Sequence, residues 1–119
     1  NYYPNNQAFV SFVKARNYDL AKRTDLAEKS YLQLINKFPE TFWALESRFY
    51  LAILKYHKKD YNNAYNLFLN LNNNSGNRSD LANYFLGLIS IYNKDEIEAK
   101  LYFSRSSYFL SKVEISKLK

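Results

Sequence analysis

Residues 46–71 read ESRFYLAILKYHKKDYNNAYNLFLNL. Phe49, Ile53 and Tyr56 recur at helical spacing, with Tyr50, Leu54 and His57 in a neighbouring row. Leu51 and Ala52 fill the remaining side, so a helix here is apolar over most of its circumference. Such a helix needs contacts on several sides, as the inner layer of a stack has. Lys58-Lys59-Asp60 breaks the pattern. Lysines suit the negative end of a helix, and Asp60 can cap the next one by accepting from its free N–H groups. From Tyr61 to Leu71 the apolar residues are Tyr61, Ala64, Tyr65, Phe68, Leu69 and Leu71, with Asn62, Asn63, Asn66 and Asn70 facing outward. The second helix is therefore one-sided, and belongs to an outer layer.

Composition agrees with a helical chain. At 119 residues there is room for one domain, and 47% hydrophobic with 18% aromatic content is enough for a core. Two Gly and two Pro argue for long helices over a turn-rich β fold. The absence of Cys excludes disulfides and thiolate metal sites, and leaves the redox compartment open. The longest nearly apolar run, Tyr84 to Tyr92, is far short of the ~20 residues a membrane span needs. The chain does not begin with Met, which suggests an excised domain and leaves room for an omitted signal peptide or lipid anchor. A formal charge of +6 invites a nucleic-acid or anionic-membrane partner. The basic residues are scattered, however, and no helix face gathers them into a stripe, so nucleic acid is not the expected partner.

In chain order, Pro4-Asn5-Asn6 opens a first helix over about Gln7 to Leu20, with Phe9, Val10, Phe12, Val13 and Ala15 apolar. Ala21 to Thr24 is a turn. Asp25 and Glu28 have capping-box spacing, and the second helix carries Leu26, Ala27, Tyr31, Leu34, Ile35 and Phe38 before Pro39 ends it. Glu40 to Leu45 leads into the central pair. NNNSGNRS, residues 72–79, is the clearest loop; its Asn-x-Ser triplets at Asn73 and Asn77 read as Asn-rich loop composition rather than glycosylation sites. Asp80 caps a fifth helix with Leu81, Tyr84, Phe85, Leu88, Ile89 and Ile91. Asp95 and Glu98 repeat the capping box, and a sixth helix presents Ile97, Leu101, Tyr102, Tyr108, Phe109 and Leu110. Residues 111–119 either extend it or open a further helix.

Three features recur in phase. Ala27, Ala64 and Ala99 lie 37 and then 35 residues apart, each followed four residues later by Tyr31, Phe68 or Phe103. Before them stand Lys14-Ala15, Leu51-Ala52 and Leu86-Gly87, and Phe12, Phe49 and Tyr84 occupy one equivalent place in the first helices. A small residue lets two helices approach closely, and a ring one turn later fills the space beside it.

This pattern resembles the tetratricopeptide repeat, which couples a Leu-Gly pair, an Ala-x-x-x-Phe and a terminal Pro. Leu86-Gly87 with Ala99 and Phe103 matches well; Ala27, Tyr31 and Pro39 match the second half of the first repeat, Leu51-Ala52 with Ala64 and Phe68 match the middle one, and Tyr18 stands at the first-helix Tyr. The chain departs where the early Trp is replaced by Ser11, Arg48 and Asn83, where Lys14 replaces a Leu, and in an insertion near Thr41. The resemblance implies an all-α, right-handed superhelix of three helix-turn-helix repeats, six helices in all, over about 7–39, 44–71 and 80–110. Periods slightly above 34 are similar to those of bacterial cell-envelope members of the tol-pal and outer-membrane-assembly type, which favours a periplasmic or envelope location, with the cytoplasm as the alternative.

In such a family the first helices line a concave groove for a peptide or partner helix. By resemblance its residues here are Phe9, Phe12, Arg16, Phe49, Tyr50, Ile53, Tyr56, His57, Tyr84, Leu88, Ile91 and Tyr92. The carboxylate clamp of chaperone-tail binders would fall on Phe12, Arg16, Tyr50, Leu81 and Phe85, where one cation survives, so that subfamily does not fit. His57 is the only histidine, no motif places a nucleophile beside it, and no Gly-rich phosphate loop or clustered acidic loop exists. The expectation is a non-enzymatic scaffold that binds another protein, without cofactor or metal. Two alternatives stand beside it: single-stranded RNA binding, as in a related family of 35-residue helical hairpins, and self-association.

Overall fold

The computed structural model describes residues 2–71 and 77–118, and among these every regular element is helical. The helices are α1 (Tyr2–Leu20), α2 (Thr24–Lys37), α3 (Phe42–His57), α4 (Tyr61–Leu69), α5 (Asn77–Tyr92), α6 (Glu96–Ser104) and α7 (Phe109–Lys117). The all-α expectation holds; the count of six does not. The sixth helix was expected to run through Leu110, but α6 stops at Ser104. There the backbone tightens, with Arg105 N bonded to the carbonyls of Leu101 and Tyr102, and Ser106 N to that of Phe103. Ser106 Oγ then donates to the Asp80 carbonyl at 2.7 Å, and Ser107 donates twice to the Asp80 carboxylate. These bonds hold the chain at the start of α5 and redirect it, so Phe109 and Leu110 open a seventh helix.

Two helix starts also move. α1 begins at Tyr2, upstream of Gln7, because proline in the first turn costs no intrahelical bond. α5 begins at Asn77, so Asp80 lies in its first turn instead of capping it. Of the proposed loop, Asn72 to Gly76 and with them the Asn73 triplet lie outside the described residues.

Three turns share one conformation. Lys22, Lys59 and Lys94 have φ of 64°, 65° and 63°, the left-handed state that ends a helix. They follow the same 37- and 35-residue steps as the alanines. Arg23 N returns to the Tyr18 carbonyl and Asp95 N to that of Ser90, both at 2.9 Å, so the first and third turns close the same six-residue bond. Asp60 and Asp95 then cap α4 and α6 by accepting from Asn63 N and Glu98 N. Asp25 and Glu28 form no such box: Arg23 precedes α2 without a side-chain bond, and Thr41 caps α3 instead.

The backbone divides into two units, Asn1–Lys59 and Asp60–Lys119, and the boundary falls inside the central pair. In the first unit α2 packs along α1, and α3 lies against both. In the second α6 packs along α5, α4 lies against α5, and α7 lies against α6 and α5. Thus α7 stands to α5 and α6 as α3 stands to α1 and α2.

The recurring alanines and the rings one turn after them are interior. Ala15, Ala27 and Tyr31 are fully buried in the first unit; Ala64, Phe68, Ala99 and Phe103 are buried in the second. At Gly87 a Cβ would stand 2.4 Å from Phe103 Cε1, so the helices of that hairpin meet with no room for a methyl group.

Across α2 and α3, Glu28 accepts from Lys55 Nζ at 2.6 Å and from Lys58 Nζ at 3.0 Å. Partial burial alone would raise the carboxyl pKa, but the two lysine bonds outweigh it and hold it below the ordinary value. A depressed carboxyl pKa contributes stability that is present above the unfolded value of 4.5 and lost as pH falls through the folded one. Glu28→Gln should therefore cost about 1 kcal/mol at pH 7. In urea titrations the gap between the variant and the parent should narrow as pH falls below 4.5, and a gap that does not narrow in acid would refute the assignment.

Candidate functional site

Aromatic residues on α1 and α3 meet in one cluster of the first unit. Trp43 lies 4.9 Å from Phe9, 5.0 Å from Phe12 and 4.9 Å from Phe42, between ring centroids. Phe12 also approaches Tyr50 at 5.8 Å. Phe9 is 46% exposed and Phe42 59%, with Val10 and Val13 exposed alongside on α1.

Arg16 closes one end of this cluster, and it is held there. Its guanidinium lies 4.0 Å above the Tyr50 ring and 3.1 Å from the Asp19 carboxylate. The buried Tyr31 hydroxyl donates to the same Asp19 oxygen at 2.7 Å. Burial, and then the neighbouring Asp19 carboxylate, raise the Tyr31 pKa well above the ordinary phenol value despite the opposing Arg16. The expected groove cation is thus a strut between α1, α2 and α3. A cation stacked and paired in this way offers a ligand carboxylate little.

The other sequence-derived residues separate into three groups. Phe49 is 3% exposed and belongs to the core, edge-on to Tyr50, so it has no face for a partner. Tyr50, Ile53 and Tyr56 are half-buried on α3, and His57 is exposed at its end beside the Tyr56 ring. In the second unit Tyr84, Leu88 and Ile91 are half-buried on α5, while Tyr92 is exposed and 4.3 Å from the ring of Tyr61.

Tyr84 anchors a second aromatic cluster, 5.0 Å from Tyr108, which in turn meets the exposed Phe109 at 5.2 Å. The likeness to the first unit lies in the pairing of rings, not in register: Trp43 is inside α3 and follows Phe42, whereas Tyr108 precedes α7 and is followed by Phe109. Phe12 meets Trp43 and Tyr84 meets Tyr108 at the same 5.0 Å, and each second partner is next to an exposed phenylalanine. Below it, Tyr65 and Tyr102 share a hydroxyl hydrogen bond of 2.8 Å, and Glu98 accepts from Ser90. Burial, with the Tyr102 bond, raises the Tyr65 pKa out of reach of proton-transfer chemistry near neutrality.

Phe42, Trp43, Tyr108 and Phe109 were not among the expected site residues. Stepping back from Tyr50 and Ile53 by helical intervals reaches Glu46 and Trp43, so the signal for Trp43 was present. Phe109 needed the break after Ser104, which no Gly or Pro announces.

Among the described residues no group of three His, Asp or Glu side chains is placed to hold a metal, and no helix is long and apolar enough to cross a membrane. Comparisons with protein-family models, curated proteins and solved structures find no match to this chain.

Proposed function

We propose that the chain is a protein-interaction module built from helical hairpins of the tetratricopeptide kind, and that it holds a partner protein on its exposed aromatic residues. In this proposal the hairpins are repeats of a right-handed superhelix, with α7 as the first helix of a further turn. Support comes from the left-handed turn lysines in phase with the buried alanines, and from the equivalent packing of α3 and α7. The observation that carries the binding role is the Phe9, Phe12, Phe42 and Trp43 cluster. Its rings are fixed against one another yet two remain open to solvent. Rigid, exposed aromatics give large contact area at small entropic cost and commonly dominate binding energy.

The test compares the parent with the double variant Phe9→Ser/Phe42→Ser. Both rings are exposed, so helicity by circular dichroism should be unchanged. Proteins retained from an extract of the source organism by the immobilised parent should be lost by the variant. For a purified partner, Trp43 emission should report a weakening of roughly thirtyfold or more, the size of a hot-spot loss. The same proteins retained with the same affinity would remove the aromatic surface from the binding role.

A further inference from the structure

We propose that the cleft between α1 and α2 is a binding site for a small organic anion, carrying a phosphoryl or carboxylate group. The cleft is open to solvent, measures about 560 Å³ and is lined by Ser11 and Lys14 from α1, and by Ser30, Gln33, Asn36 and Lys37 from α2. Leu34 and Phe38 complete the lining. A volume of this order is that of small-molecule pockets, about 300–1,000 Å³.

Its chemistry is one-sided. Two ammonium groups, two hydroxyls and two carboxamides supply hydrogen-bond donors, and no carboxylate lines the cleft. Among the described residues the ion pairs of the first unit use Arg16, Lys55 and Lys58, and Lys14 and Lys37 enter none. Lys37 leans over the Phe38 ring at 5.5 Å, which keeps its charge at the cleft wall. The unit also carries the charge of the chain. Residues 1–59 hold ten Lys and Arg against five Asp and Glu, a surplus of +5; residues 60–119 hold seven against six, a surplus of +1. An anion is therefore drawn to this unit over the other, and within it to a concave place lined by two lysines. Donors on both helices suit an anionic head on a polar body, the apolar part of which lies against Phe38. The site is separate from the aromatic cluster, since α1 turns Phe9 and Phe12 toward Trp43 and Ser11 and Lys14 toward α2.

The test titrates inorganic phosphate and citrate separately into the whole chain at constant ionic strength, following backbone amide shifts. At least one should saturate with a Kd of about 1 mM or tighter, its shifts concentrated at residues 11–14 and 30–38. Tighter binding of phosphate assigns a phosphoryl ligand, and tighter binding of citrate a carboxylate. Lys14→Gln/Lys37→Gln removes two exposed lysines and should weaken binding about tenfold or more. The control Lys22→Gln/Lys59→Gln changes net charge equally and should leave it unaltered. Equal weakening by both pairs, shifts spread over every lysine-bearing turn, or no saturation by either anion would overturn the proposal.

Discussion

Gly87→Ala is expected to destabilise the protein by about 2 kcal/mol, the opposite of what this substitution does in an ordinary helix. In an exposed helix interior alanine is favoured over glycine by about 1 kcal/mol. Here the added methyl would stand 2.4, 2.6 and 2.7 Å from three carbons of the Phe103 ring. Phe103 is 1% exposed, so its ring cannot swing into solvent and the helices must part. Overpacking of this kind costs about 1–3 kcal/mol, and contacts this short belong at or above the upper end. The net loss corresponds to a fall in Tm of roughly 10 °C. Gly87→Ala/Phe103→Leu should recover part of it, since the smaller side chain makes room. A Tm that rises with Gly87→Ala would mean that α5 and α6 do not cross at this residue.

Phe49→Ala should have a still larger effect, about 3–4 kcal/mol, because the ring lies in the core and its removal leaves a cavity. Phe9→Ala, on the exposed side of α1, should change stability by less than about 1 kcal/mol. Urea unfolding of the two variants separates core from surface within the set of groove residues. Equal, small effects would return Phe49 to the surface. The distinction matters for any binding experiment, since loss of a partner by Phe49→Ala would report unfolding and not a broken contact.

Helical class, most of the helices and the buried small-and-ring pairs were legible because each rests on local periodicity. Ala27 with Tyr31, and Ala99 with Phe103, are spaced one turn apart on one helix face, and burial of that face follows from pattern alone. Position along the face was less legible. Phe49 and Tyr50 are adjacent on an almost wholly apolar helix, so spacing does not tell which ring turns inward. The end of α6 was hidden for a different reason. The bonds from Ser106 and Ser107 to Asp80 join residues 26 and 27 apart in sequence, beyond any local signal. Glu28 shows the same limit: its spacing from Asp25 suggested a cap, but Lys55 and Lys58, on and just after α3, compete for the carboxylate and win. The αL lysines were also unforeseen, since glycine or asparagine is the usual residue there and Lys22, Lys59 and Lys94 carry no such mark.

The hairpin crossings are open to direct observation by nuclear Overhauser spectroscopy of the unmodified protein. Strong cross-peaks are predicted from the Gly87 α-protons to the Phe103 ring, and from the Ala15 methyl to the Tyr31 ring. Absence of both, with those rings instead contacting residues outside their own hairpins, would contradict the small-residue crossings from which the repeat, and the partner-binding role built on it, are argued.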